Sequence, residues 1–194
     1  MKHPWLPAAV VLCALQAAVP AGSIVRYEKT LRDGKPIKLR VEPVDPADAF
    51  RGRFVAILPT LIAPTDSIPG ATGIEAWRWR GWAILEPDAD GFARVVRVTD
   101  VRPEGADALR VRYGGPAWDR VDGEEPRLIG ERLVSELDRY YMNERRAPAA
   151  EAAYREHASR AKNDAWIAVR LRDGVGVIEG LYVDGRPIEE AARP

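Results

Sequence analysis

The stretch WIAVRLRDGVGVIEGLYVDGR, residues 166–186, decides the fold. Its two apolar runs, residues 166–171 and 175–183, are separated by Asp173-Gly174, and the second run ends at Asp184-Gly185. Asp-Gly pairs favour the tight turns of β-hairpins, because glycine adopts positive φ at no steric cost. The stretch therefore predicts an antiparallel hairpin near the C-terminus.

Upstream segments repeat this strand pattern. Residues 37–41 and 109–113 alternate apolar with charged side chains, and the turn-forming tract 86–91 precedes a further apolar run, residues 95–101. Gly114-Gly115-Pro116 is expected to end the strand 109–113 and to begin a loop that reaches about Pro126.

Three other segments are less regular. The run 50–62 is apolar enough to predict one strand that is buried on both faces and limited by Pro59 and Pro64. Residues 133–142 fit either a helix or a strand, and we favour a strand. A bulge at Gly81 is expected to let Trp82 change sides of its strand.

Residues 149–162 predict the one clear helix. Pro148 suits an early helical position, and Glu151 near the start with Arg160 and Lys162 at the end complements the helix dipole. The predicted fold is mainly β (α+β), an antiparallel sheet or partly closed barrel with one helix in its C-terminal half. Residues 26–194 are expected to form it as a single extracytoplasmic domain.

Residues 1–25 are expected to be a membrane anchor or signal segment. Residues 4–25 carry no charge and follow Lys2, which predicts an N-in orientation with the body of the protein outside. The stretch between Pro7 and Pro20 would rise only about 20 Å as a helix, which is short for a span. From the residues alone, cleavage before Gly22 and a helix extended to Val25 remain equally open.

Composition excludes several classes of function. Lysine and arginine number 29 against 29 acidic residues, so no excess charge favours nucleic acid as a partner. The single cysteine, Cys13, lies in the N-terminal segment, and His3 and His157 are the only histidines. Thiolate chemistry and zinc are therefore not expected, no cofactor is predicted, and His157 is interpreted as part of a solvated helix face.

Two groups of side chains could contact a ligand. Trp77, Arg78, Trp79 and Arg80 could form a stacking surface for a glycan, but alternating tryptophan and arginine more often mark a core face and a solvent face. A serine–lysine hydrolase built on Ser23 is disfavoured, because it would leave Lys162, at the polar end of the predicted helix, as its only base.

The segment PVDPADAFRGRFVAIL, residues 43–58, carries a resemblance. Asp45 and Asp48 suit turn chemistry with Arg51 as a bidentate partner, and Gly52 suits a close backbone approach. The segment resembles the GDYXXLXY family of bacterial membrane-anchored proteins, which share its lead and the name-giving motif that follows. The matching positions are Pro43, Val44, Asp45, Pro46, Asp48, Arg51 and Gly52, with Phe54 in place of the first tyrosine of the motif.

The rest of the motif departs from the family. Arg53 replaces its acid, Ile57 its leucine and Pro59 its last tyrosine, so the chain is similar to a divergent member. Residues 139–142 and 180–186 extend the likeness along the chain. The resemblance implies a retained anchor and, from the gene organisation common in the family, a polytopic membrane protein as partner; it implies no reaction.

The expected function is that of a non-enzymatic, single-pass protein of the bacterial inner membrane. Its β domain would lie in the periplasm and bind a membrane or envelope partner. The alternative is an exported hydrolase or a glycan-binding module that uses the tryptophan and arginine face.

Overall fold

A computed structural model of the chain describes residues 6–42, 54–68, 74–105, 107–119, 125–159 and 162–191. These ranges form two five-stranded antiparallel sheets, a two-stranded sheet and a few helices. The helices are α1 (Leu6–Asp33), α2 (Ala147–His157) and α3 (Ile188–Ala191), and a 3₁₀ helix covers Ile74–Arg78. The strands are β1 (Lys35–Glu42), β2 (Phe54–Ala56), β3 (Leu58–Pro59), β4 (Ile62–Ala63), β5 (Arg80–Pro87), β6 (Ala93–Thr99), β7 (Ala108–Asp119), β8 (Arg127–Val134), β9 (Arg139–Tyr141), β10 (Trp166–Arg172), β11 (Val175–Val183) and β12 (Arg186–Pro187).

The sheets enclose one core in a nearly closed barrel. The first sheet has the strand order β12-β11-β10-β1-β3 and the second has the order β4-β8-β7-β5-β6, while β2 pairs with β9. Leu39, Leu133, Ile167 and Leu181 are among the fully buried side chains of that core. The predicted mainly β, antiparallel architecture is confirmed.

The C-terminal hairpin forms as its sequence predicts. Strands β10 and β11 pair across Asp173-Gly174, whose φ angles of 52° and 78° are those of a tight turn that needs glycine. β11 then turns through Asp184-Gly185, with φ angles of 49° and 70°, into β12. The period of two holds in β10, where Ile167, Val169 and Leu171 are buried.

The tip of this hairpin joins the two sheets. The amide of Arg110 in β7 donates a hydrogen bond to the carbonyl of Gly174 at 3.0 Å. A Cβ atom on Gly174 would lie 1.8 Å from the Trp82 ring, so the indole of β5 packs directly on the turn backbone. The barrel is therefore closed on this side by a backbone hydrogen bond and an aromatic contact.

Helix α1 rests on the same hairpin by its last turns. Thr30 is buried, its hydroxyl donates to the Arg26 carbonyl at 3.0 Å, and Asp33 pairs with Arg172 of β10 at 3.2 Å. Residues 11–29 are exposed along their whole length. Among the helices that the structure describes, none combines the length and the hydropathy of a membrane span.

Several boundaries differ from the predictions. The helix α1 continues through Pro20 and past Val25 to Asp33, and a short α3 accompanies the predicted α2. The single strand predicted over residues 50–62 is wrong: its described part forms β2, β3 and β4, each in a different sheet, because the chain crosses from one sheet edge to another. Residues 50–53 lie outside the described ranges.

Two predicted interruptions also differ. Strand β7 continues through Gly114-Gly115-Pro116 to Asp119, because the glycines absorb a register shift instead of ending the strand. The register shift of β5 against β6 lies between Ile84 and Leu85, not at Gly81. Half of the segment 133–142 is strand, the end of β8 and all of β9, and none of it is helix; α2 ends at His157, before the predicted Lys162.

The Gly174–Trp82 contact predicts unequal costs for the same change in two similar turns. Gly174→Ala must both hold positive φ and displace the indole, whereas Gly185→Ala meets nothing within 4 Å. We expect Gly185→Ala to cost about 1–2 kcal/mol and Gly174→Ala to cost roughly 1–3 kcal/mol more, measured by urea unfolding of the purified chain. Equal costs would contradict the packing of Trp82 on this turn.

Candidate functional site

The family-motif positions fall mostly outside the described residues. Pro43, Asp45, Pro46, Asp48, Arg51 and Gly52 all lie in the undescribed range 43–53, so their predicted turn chemistry stays a prediction. Phe54 opens strand β2 at the end of that range. The described residues on either side of it are Glu42, at the end of β1, and Phe54, at the start of β2. We call these two residues, together with Leu58 of β3, which pairs with Glu42, the frame of the motif segment.

That frame is held by Tyr154 of α2. The buried Tyr154 hydroxyl donates to the carbonyl of Glu42 and accepts from the amide of Leu58, two residues that pair across β1 and β3. Burial raises the pKa of this phenol well above its ordinary value, and the Leu58 amide opposes that rise. The tyrosine thus stays protonated and fixes the β1 end of the motif segment.

The Glu42 side chain makes a second contact with the frame. Its Oε2 lies 2.8 Å from Nη1 of Arg132 on β8, in an ion pair whose angle is not that of a hydrogen bond. Both side chains are partly buried, which weakens the screening of the pair by solvent. The first and second sheets are therefore tied together where the motif segment leaves β1.

Phe54 belongs to an aromatic cluster. Its ring meets Tyr141 of β9 edge to face at 5.7 Å, and the Arg139 guanidinium lies 5.4 Å from the same ring. These partners come from the segment 139–142, which carries another part of the family likeness. The structure therefore brings together two segments that are distant in sequence and that both resemble the family. Phe54 makes this contact with an aromatic ring that lacks the hydroxyl of the family's tyrosine.

Tyr140, between these two cluster residues, faces a different partner. Its hydroxyl donates to the Glu189 carboxylate of α3. Burial, and then this hydrogen bond, raise the pKa of Tyr140 well above its ordinary value. The contact holds α3 against β9 and leaves this phenol protonated, so it is not available as a base.

Of the tryptophan and arginine face predicted at residues 77–80, Trp77, Arg78 and Arg80 are exposed and Trp79 is half-buried, so the role of this face in binding stays a prediction. Trp77 and Arg78 end the 3₁₀ helix, and Trp77 is 55% exposed and edge-on to Tyr113 at 5.3 Å. Trp79 is half-buried against the core. Arg80 lies at the start of β5, where its Nη1 donates to the carbonyls of Trp77 and Trp79 at 3.0 and 2.8 Å.

A cleft lies beside Trp82. It has a volume of about 620 Å³ between the hairpin tip and the loop that precedes β7. Its charged side chains pair with one another or with neighbours: Arg102 with Asp173 at 2.9 Å, and Lys35 with Asp107. The Arg102 guanidinium lies 5.8 Å from the Trp82 ring centroid. The Trp82 ring thus contacts the Gly174 backbone and lies near the Arg102 guanidinium.

Ser23, Lys162 and His157, the side chains with possible catalytic roles, each contact a group nearby in the sequence. Ser23 donates to the Val19 carbonyl within α1 at 3.2 Å. The Glu156 carboxylate, through its hydrogen bond and charge, raises the pKa of Lys162, which is the opposite of what a general base requires. His157 is not on a solvated face as predicted: it is partly buried and pairs with Asp164 at 2.8 Å. Within the described ranges, no three histidine, cysteine or acidic side chains are grouped to hold a metal ion.

Glu131 is a buried acid that the sequence analysis missed. It lies on β8, is 5% exposed, and accepts hydrogen bonds from the amides of Asp66 and Ile68. Burial raises the pKa of Glu131 despite these two donors. The sequence carried little signal for it, because the burial of β8 does not alternate regularly: Arg127 to Ile129 are exposed and the adjacent Gly130 and Glu131 are both buried.

These features define a class: a β-rich, nearly closed antiparallel barrel that carries a long N-terminal helix. The family model of the GDYXXLXY proteins matches residues 16–181, so the chain belongs to the GDYXXLXY protein family. The match includes the second half of α1 and most of the barrel. No curated protein and no solved structure matches the chain significantly.

The two hydrogen bonds of the Tyr154 hydroxyl predict that removing this hydroxyl lowers the stability of the protein. Tyr154→Phe leaves the Glu42 carbonyl and the Leu58 amide without this partner, so we expect the free energy of unfolding to fall by about 1–3 kcal/mol. Tyr27→Phe, on the exposed part of α1, is the control and should change it by less than about 0.5 kcal/mol. Equal urea midpoints for both variants and the wild type would show that Tyr154 does not hold the frame.

The raised pKa of Glu131 predicts a pH dependence of stability. Its folded-state pKa exceeds the ordinary value of 4.5, so the folded state binds its proton more tightly and stability falls as pH rises through that window. Glu131→Gln keeps an acceptor for the two amides and removes this fall; Glu131→Ala also removes the fall, but it should cost about 1–3 kcal/mol at low pH, where the wild-type carboxyl is protonated. Urea unfolding of the wild type and both variants between about pH 4 and pH 8 measures their stabilities. If stability depended on pH equally in the wild type and in Glu131→Gln, the raised pKa of Glu131 would be contradicted.

Proposed function

We propose that this protein is a non-enzymatic, single-pass protein of the bacterial inner membrane whose periplasmic barrel binds a membrane or envelope partner. The exposed apolar surface of α1 carries the proposal. Side chains from Val11 to Val25 are uncharged and exposed around the whole helix, and such a helix needs lipid or another protein to cover it. Family membership adds support, because the family resemblance implies an anchor and a polytopic partner.

The distribution of side-chain size along α1 supports a protein partner. Between Leu12 and Gly22, at 100° per residue, the small side chains collect on one side of the helix and the larger apolar ones on the other, and Val11 and Val25 flank the small side at its two ends. The small side consists of Ala14, Ala17, Ala18, Ala21 and Gly22, and the large side of Leu12, Leu15 and Val19. Small residues four apart allow close packing of helices inside a bilayer, so we assign the small side to a helix of the partner and the large side to lipid.

Helix α1 is also rigidly joined to the barrel. Its last turn contacts the hairpin strand β10 through the Asp33–Arg172 pair, Thr30 is buried, and a Cβ on Gly34 would lie 3.1 Å from Cβ of Arg170 and 3.2 Å from the amide nitrogen of Leu171. A helix held in this way sets the direction in which the barrel faces its partner. The proposal therefore assigns binding to the helix and the barrel together and assigns no reaction to either.

A pair of neighbouring substitutions in α1 tests this proposal. The full-length chain, purified from membranes with its partners, should keep the mass of the uncleaved sequence and carry a polytopic membrane protein. Ala18→Leu fills the small side and should reduce the recovered partner by about tenfold, whereas Val19→Leu, on the large side, should leave it unchanged. A mature N-terminus at Gly22, or equal recovery with both variants, would overturn the proposal.

A further inference from the structure

Three arginines lie together on the outer face of the second sheet. Arg80 of β5 stands directly opposite Arg112 of β7 in the strand register, and Arg110 lies two residues along β7. All three line a cleft of about 260 Å³ together with Val111, Val134, Ser135 and one acid, Glu136, so that the lining carries three cations and one carboxylate. Side chains at alternate positions of a strand point the same way, so the three cations share one face.

The arginines of this cleft differ from the barrel arginines that are paired with acids. Arg132, Arg170 and Arg172 each pair with a carboxylate at 3.2 Å or less. Within the part of the chain that the structure describes, no carboxylate pairs with any of the three cleft arginines. The arrangement therefore leaves concentrated positive charge in a protein whose charges otherwise balance at 29 against 29.

This placement has a cost in stability. Like charges directly opposite on neighbouring strands destabilise a sheet, and Arg80 faces Arg112 without an acid between them. Arg80 is also held in place, since its Nη1 donates to the carbonyls of Trp77 and Trp79. Both of these bonds use Nη1, so the other guanidinium donors point elsewhere. A fixed cation beside two more is arranged to receive an anion.

We propose that this cleft, the Arg80–Arg110–Arg112 cleft, binds an acidic segment of the protein partner. Arginine forms bidentate bonds with carboxylates, and Arg110 and Arg112 lie roughly 6.6–6.8 Å apart along the strand. That spacing suits two carboxylates four residues apart on a helix or two apart in an extended chain. The cleft is smaller than the roughly 300–1,000 Å³ of most small-molecule sites, and it opens onto a sheet face, which favours side chains presented by a protein.

This inference deepens the proposed function, because it names the chemistry of the partner segment. It is tested on the full chain in detergent with a fluorescein-labelled poly-glutamate peptide, followed by anisotropy. The double variant Arg110→Gln, Arg112→Gln should raise the Kd for the peptide about tenfold or more. The matched control is Arg94→Gln, Arg97→Gln on the neighbouring β6, which removes the same charge from exposed positions of the same sheet and should change the Kd less than about twofold.

The same preparations give a second readout. Removing the charge opposite Arg80 relieves repulsion, so the cleft variant should melt at or above the temperature of the wild type. Equal weakening by both double variants would show that only net charge matters and would overturn the inference. Two other results would also overturn the inference. The first is displacement of the peptide by inorganic phosphate at the same concentration of charge. The second is a cleft variant that loses more binding to phosphatidylglycerol vesicles than to the peptide. Neither readout depends on α1, so failure here is distinct from failure of the anchor.

Discussion

The contact of the Asp173-Gly174 turn with β5 and β7 is the constraint on which the rest of the structure depends. Through it, the carbonyl of Gly174 receives the Arg110 amide and its backbone supports the Trp82 ring. Only glycine fits there, because the backbone has positive φ and no room remains for a Cβ atom. One turn thus converts two sheets that share a core into a nearly closed barrel.

The same hairpin positions the two surfaces that we assign to binding. Arg172, just before the turn, pairs with Asp33 at the end of α1, so the last turn of the helix contacts the barrel beside the hairpin tip. Arg110, whose amide is bound by the turn, carries one of the cleft guanidinium groups on its side chain. A change at the turn would therefore alter the relation of the helix to the arginine cleft, although neither surface contains the turn itself.

Local patterns predicted the fold where a short stretch of chain decides the outcome. The hairpins, β1 and α2 follow from alternation, Asp-Gly turns and Pro148, which act over a few residues. The run 50–62 could not be assigned this way, because its division among three sheets depends on distant partners such as Tyr141 and Arg132. The strand through Gly114 and Gly115 likewise continues because β8 pairs alongside it, which no local signal indicates. The cleft arginines appeared in the sequence only as the polar side of strands, since their convergence depends on the register of β5 against β7.

Hydrogen exchange at the Arg110 amide tests the closure of the barrel most directly. This amide binds the Gly174 carbonyl across the junction of the two sheets, at a distance of 3.0 Å. If the turn closes the barrel, the Arg110 amide exchanges as slowly as the core amides of β10, through unfolding of the whole domain. Exchange at the rate of an exposed loop, with β10 still protected, would show that the two sheets separate at this junction and would contradict the account.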